Sequence, residues 1–142
     1  MRRLVTQKLI EWRDSPRRKP LMVRGARQVG KTYSVLDFGR TAFAGHVRHV
    51  DLELRRDAHA AFADDISPAV VLRRLQAILG MEVVPGRDLL FLDEIQACPR
   101  AITALRYFDE LMPELHVVAA GSLLELALGE HSFPVGRITR RG

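Results

Sequence analysis

With 142 residues, 47% hydrophobic and 27% charged, the chain is long and apolar enough to bury a core, and its composition excludes a disordered segment. No apolar run approaches the roughly 20 residues that span a bilayer. The formal charge of +5 is uneven: residues 1–31 hold ten Lys/Arg against Glu11 and Asp14, while the rest of the chain holds 12 basic and 15 acidic groups.

The charged N-terminal stretch MRRLVTQKLIEW lacks the apolar centre and cleavage site of a signal peptide. Cys98 is the single cysteine, so no intrachain disulfide forms and the expected location is cytoplasmic, without a membrane. Beside Pro99, it reads as a small packing residue rather than a nucleophile. The basic N-terminal end is compatible with nucleic acid or an anionic ligand. No nucleic-acid-binding motif accompanies it, and a solvated surface plus phosphate-facing residues is the plainer reading.

In chain order, Val5, Leu9 and Trp12 recur at helical spacing and predict an amphipathic helix over 2–13, ending before Pro16. Leu21–Val23 reads as a short buried strand. Thr32–Phe38 reads as a helix stopped by Gly39, and Val47–Leu54 as a second strand. Ser67-Pro68 has the form of a helix start, with a capping serine and proline at the first helical position. From there Val71, Leu72, Leu75, Ile78 and Leu79 trace one face up to Gly80. DLLFLD, residues 88–93, is a third strand. Pro99 opens a helix with Ile102, Leu105, Phe108, Leu111 and Met112 on its buried side, ended by Pro113. HVVAA, residues 116–120, is a fourth strand, and Leu123–Leu128 a short helix. Alternating helices with continuously apolar strands indicate a parallel sheet covered on both faces.

Between the first strand and the following helix stands GARQVGKT: Gly25, Ala26, Arg27, Gln28, Val29, Gly30, Lys31 and Thr32. This is the full Walker A pattern, including the hydroxyl after the lysine. The glycines let the backbone turn tightly and aim N–H groups at phosphate oxygens, and the helix N-terminus adds further free N–H groups. Lys31 reaches the β- and γ-phosphates of ATP, and the Thr32 hydroxyl is a ligand for Mg²⁺. Farther on, LLFLDEIQ has the form of a Walker B strand that delivers Asp93 to its C-terminal edge to hold Mg²⁺ through water. Glu94, next in line, is placed to polarise the attacking water; as a pair the two carboxylates could also cap the next turn. A DE pair points to the ATPase division of the P-loop fold, which has an additional strand between the two Walker strands. HVVAAGS, residues 116–122, fits that strand. Ser122 at its tip suits a polar sensor of the γ-phosphate, and equally a cap for the next helix. The five histidines show no metal-ligand pairing and read as structural or exposed.

GARQVGKT, LLFLDEIQACP, AAGSLLELAL and FPVGRI together resemble the AAA-like ATPases of prokaryotes, in which the ATPase domain usually precedes a nuclease-like C-terminal domain. The resemblance spans nearly all of the chain. It implies one AAA-like ATPase core domain over 1–142, a three-layer α/β P-loop sandwich of AAA type with strand order 5-1-4-3-2. It also implies ATP and Mg²⁺ as cofactors, ATP hydrolysis with Glu94, Lys31 and Ser122 as catalytic residues, and coupling to a conformational or partner switch. After Gly136-Arg137 the family continues into a fifth strand, a helical lid and the C-terminal domain. Set against that pattern, the chain reads as truncated, with strand 5 and the lid missing and strand 1 left as a sheet edge. A homo-oligomer or a C-terminal half acting in trans then becomes the expected partner, and an inactive fragment that at most binds nucleotide weakly is the alternative. Arg137 fits either a phosphate-sensing or trans-acting arginine or a solvated tail residue, and Arg27 either neutralises phosphate charge or salt-bridges to a neighbour.

Overall fold

The computed structural model describes residues 2–15, 19–25, 28–122 and 136–139; the side chains of 2–6, 8, 24, 25, 28–31, 122 and 136–139 stand outside that description. Its elements are α1 (Arg2–Asp14), β1 (Leu21–Gly25), α2 (Gln28–Ala42), β2 (Val47–Asp51), a 3-10 helix (Arg56–Phe62), α3 (Pro68–Leu79), β3 (Leu89–Asp93), a 3-10 turn (Ile95–Ala97), α4 (Pro99–Leu111), β4 (His116–Ser122) and β5 (Gly136–Thr139). The strands form one sheet in the order β2-β3-β4-β1-β5, and every pairing is parallel. Read from the other edge this is the expected 5-1-4-3-2, with β4 between the two strands that carry the motifs.

The fifth strand, expected to be missing, is present. Gly136–Thr139 pairs with β1, Leu21 opposite Gly136 and Arg24 opposite Thr139, so β1 is an interior strand and not an edge. Four residues with one bulky apolar side chain carry almost no strand periodicity. What makes GRIT a strand is the row of hydrogen-bonding groups that β1 offers on its outer side.

Alternating residues divide the core in two. Met22, Val50, Leu90, Leu92, Val117 and Ala119 pack on one face against Val71, Leu75, Ala101, Leu105 and Phe108, together with Phe62 of the 3-10 helix. Leu21, Val23, Leu89, Phe91, Val118 and Ala120 pack on the other against Leu9, Trp12, Val35 and Phe38 of α1 and α2. Every residue from Leu89 to Leu92 has zero exposure. At about 1.5–3 kcal/mol for each buried large apolar side chain, β3 is the main apolar anchor of the sheet. Cys98 is buried against the first of these faces, and burial pushes its thiol pKa up, as suits a packing residue.

Several sequence expectations shift. The helix predicted to stop at Gly39 continues to Ala42. A Cβ at Gly39 would collide with the Cγ2 methyl of Val47, so this glycine admits a close approach of α2 to β2. The helix is closed farther on by Ala44 and Gly45, both at positive φ, with the Gly39 carbonyl accepting from the amides of Phe43 (3.0 Å) and Gly45 (3.1 Å). The second strand ends at Asp51 and not Leu54, because Asp51 Oδ1 accepts from the amides of Glu53 (3.0 Å) and Leu54 (3.1 Å) and turns the chain. Ser67 occupies the N-cap of α3 but makes no side-chain cap bond; instead its own amide donates to Asp65 Oδ1. Leu111, expected in the core, is 62% exposed at the frayed end of α4. The predicted helix Leu123–Leu128 lies outside the described residues.

Just before β3, Asp88 is fully buried yet ionic. Its carboxylate accepts from the Val84 amide (2.7 Å) and from both arms of the Arg87 guanidinium (2.9 Å each), with Arg48 at 3.7 Å and His46 at 3.6 Å. Burial opposes ionisation, but Arg87, the Val84 amide and Arg48 outweigh it and hold the carboxyl below its ordinary value of 3.8. Asp88 thus stays ionised in the fold at pH values that protonate it in the unfolded chain. Its contribution is present above the unfolded-state pKa and is lost as pH falls through the lower folded-state value. Asp88→Asn should cost about 1–3 kcal/mol at neutral pH and make urea-unfolding stability less steep in pH below about 4. Gly39→Ala should destabilise by about 1–3 kcal/mol through overpacking, and adding Val47→Ala should recover part of that loss in the same measurement.

Candidate functional site

The C-terminal ends of β1, β3 and β4 lie side by side. Gly25 is the last residue of β1 and pairs in register with Ser122, the last of β4. The chain then passes through Ala26 and Arg27, which lie outside the described residues, and enters α2 at Gln28. Val29, Gly30, Lys31 and Thr32 follow in the first turns of the helix. The side chains of Gln28, Lys31, Ser122 and Arg137 are among those outside the description, so their backbone alone is located: in α2, in β4 and, for Arg137, in β5 opposite Met22.

Thr32, 61 residues from Asp93 in the chain, donates its hydroxyl to Asp93 Oδ2 at 2.8 Å. The same oxygen lies 2.9 Å from His49 Nε2, and Asp93 Oδ1 accepts from the Glu94 amide at 2.9 Å. Asp93 and Glu94 are only 3% and 5% exposed. A buried carboxylate is tolerated where donors replace the water it loses, and here both Asp93 oxygens have donors.

Glu94 sits at φ 51, ψ 48, in the left-handed region. For a residue with a Cβ this conformation costs about 1–2 kcal/mol. It is held by the burial of Ile95 beneath the site and by the Ala97 amide, which donates to the Glu94 carbonyl at 3.0 Å. The effect is to turn the chain sharply off β3 while keeping the glutamate beside Asp93. Its Oε1 accepts from Gln96 Nε2 at 2.7 Å. A cavity of about 430 Å³ lies against Thr32, Asp93, Glu94 and His49, with Tyr33, Leu36 and Asp51 completing its wall.

A larger cavity, about 630 Å³, lies at the opposite ends of the strands, bordered by Arg13, Phe43, His46, Arg87 and His116. It touches none of the predicted site residues, and its two guanidinium groups are forked onto Asp14 and Asp88. The chemistry gathers in the smaller one.

His49 and Gln96 were not singled out by the sequence. The signal for Gln96 stood in DEIQ, two residues beyond the glutamate. For His49 the only signal was its place in β2, two residues before Asp51, which lies in register with Asp93. Among the described residues no cluster of three or more His, Cys, Asp or Glu side chains could hold a metal by itself, and no helix is long and apolar enough to cross a membrane.

A parallel α/β sandwich in this strand order, in which the helix after the GARQVGKT-bearing strand hydrogen-bonds the carboxylate ending the third strand, defines the nucleotide-binding ATPase class of module. A family model described as "AAA domain" matches residues 17–141, and the chain belongs to that family. No curated protein is significantly similar in sequence. Among solved structures, a chain in "Structure of Drosophila ORC bound to AT-rich DNA and Cdc6" is similar with a TM-score of 0.61 and 12% identity, over 97% of this chain and 53% of that one. A chain in "Structure of Drosophila ORC bound to DNA" gives a TM-score of 0.58 and 12% identity, over 98% of this chain and 90% of the other. This chain thus spans about half the length of the first and nearly all of the second. At such identity the likeness is one of fold.

Proposed function

We propose that the chain binds ATP together with Mg²⁺ and hydrolyses the γ-phosphate, with nucleotide state switching a conformation or a partner contact. The observation that carries this reading is the hydrogen bond from Thr32 Oγ1 to Asp93 Oδ2 at 2.8 Å, joining the two motifs at one point. The donor chemistry fits the cation: Mg²⁺ takes hard oxygen ligands, commonly one or two from protein plus substrate phosphates and water, and Thr32 and Asp93 supply that set. When bound, the cation would neutralise charge developing on the β- and γ-phosphates.

The rest falls to the chain's own groups. The Walker A pattern assigns the backbone N–H groups of Gly25, Ala26, Arg27, Gln28, Val29, Gly30 and Thr32 to the phosphates, and Lys31 to pair with them. Glu94 is assigned to polarise the attacking water and accept its proton, with Gln96 Nε2 holding Oε1 at 2.7 Å. Ser122 is assigned to sense the γ-phosphate from the tip of β4. As partners we favour a second copy of the chain or a segment supplied in trans, over nucleic acid, for which no motif speaks. The two similar chains come from structures of Drosophila ORC bound to DNA, in one case together with Cdc6.

The test is a calorimetric titration of a non-hydrolysable ATP analogue with Mg²⁺, paired with phosphate-release kinetics. Lys31→Ala should weaken analogue binding by at least about tenfold, the scale of one lost charge-assisted contact. Glu94→Gln should leave binding within about threefold, as expected for an interaction made only in the transition state. It should lower kcat by about 10²–10⁴, the usual worth of a general base. A wild-type chain that binds no analogue, or a Lys31→Ala chain that binds it equally well, ends the proposal.

A further inference from the structure

The Asp93 carboxylate has a donor that neither motif contains. His49 Nε2 stands 2.9 Å from Asp93 Oδ2, the oxygen that also takes the Thr32 hydroxyl. A carboxylate only accepts, so Nε2 carries the proton and donates it. The ring is fixed in direction. It lies stacked on Phe91, with centroids 4.7 Å apart and planes 16° from parallel, and Phe91 is the register partner of His49 in β3. The alternation that puts Phe91 and Asp93 on the α2 side of β3 puts His49 on the same side of β2. The His49 side chain is 31% exposed and that of Asp93 4%, so the imidazole forms the rim of the site and the carboxylate its floor.

Without His49, the Thr32 hydroxyl would be the one remaining donor to Oδ2 among the described residues, and that hydroxyl is itself assigned to the cation. The Glu94 amide would still hold Oδ1, but the oxygen that faces the cation would lose its one ring donor, and hydrogen-bonded partners behind metal-binding carboxylates usually change metal affinity by about 10–100-fold.

We infer that His49 is a positioning residue: its Nε2–H holds Asp93 Oδ2 in the orientation that receives the cation, so that affinity for the cation with nucleotide depends on His49 while affinity for nucleotide alone does not. The inference rests on the ATP–Mg²⁺ reading above.

Two substitutions separate the donor from the ring. His49→Phe keeps an aromatic ring over Phe91 and removes the hydrogen bond; His49→Gln removes the ring and keeps an N–H donor. Mn²⁺ serves as the probe, its binding to the full chain read by electron paramagnetic resonance in the presence of the non-hydrolysable ATP analogue. Analogue binding in EDTA is measured separately, and thermal unfolding confirms that each variant is folded. His49→Phe should weaken Mn²⁺ binding by about 10–100-fold with analogue binding in EDTA unchanged, and His49→Gln should recover most of the loss. Wild-type Mn²⁺ affinity in His49→Phe overturns the inference, as does an equal loss of analogue binding in EDTA, which would mark a merely structural role. A wild-type chain that takes up the analogue but no Mn²⁺ overturns it too, whereas one that binds neither overturns the ATP–Mg²⁺ reading itself.

Discussion

The burial of β3 on both faces constrains everything else in this molecule. A strand packed between two layers of helices has no lateral place for a charge, so its polar residues stand at its two ends. Asp88 enters the sheet on one side, and Asp93 with Glu94 leaves it on the other. Both aspartates are buried carboxylates, and each is tolerable only where donors replace lost water. At Asp88 the donors are a guanidinium fork and a backbone amide, which fix the loop leading into the strand. At Asp93 they are a hydroxyl, an imidazole and a backbone amide, each drawn from a different part of the chain. Asp88 itself lines neither cavity, and only its partners Arg87 and His46 reach the larger one. Asp93 and Glu94 line the smaller cavity directly.

That difference separates a structural carboxylate from a candidate functional one more clearly than burial does. Arg87 neighbours Asp88 in sequence and neutralises it locally, so nothing further is needed there. Thr32 and His49 approach Asp93 from a helix and from the adjacent strand. Their hydrogen bonds depend on the register of β2 against β3 and on the seating of α2 against the sheet. The close approach of α2 to β2 at Gly39 is one part of that seating, which links a packing detail at the far end of the helix to the geometry of Thr32.

Most of the scaffold was legible in the sequence because its causes are local. Continuous apolar runs marked β3 and β4, a 3.6-residue period marked α3 and α4, and Gly80 in the left-handed conformation closed α3 as a terminal glycine should. The spacing of GARQVGKT and LLFLDE around those elements predicts that Thr32 and Asp93 meet, and they do. What escaped had tertiary causes. β5 is a strand only because β1 is beside it. Gly39 looked like a helix terminator because a glycine required for close approach is indistinguishable, in one dimension, from one required for a positive φ. Asp51 ended β2 through a hydrogen bond of its own side chain, which strand periodicity does not register. His49 was read as an unremarkable strand histidine because its meaning lies in a neighbour 44 positions away.

The strand order also dictates when the parts of this protein come into being. β1, which leads into GARQVGKT, has no sheet partner within the next 90 residues: Leu21 pairs with Val118 on one side and Gly136 on the other. A ribosome releasing the chain in order therefore exposes β1 long before either neighbour exists, while β2 and β3 can already join. Parallel pairings over such separations form late, because loop-closure entropy is met before the contacts that reward it. The candidate site is thus the last part of the sheet to assemble, and anything that delays residues 116–139 leaves an apolar strand without partners, the condition under which folding chains aggregate.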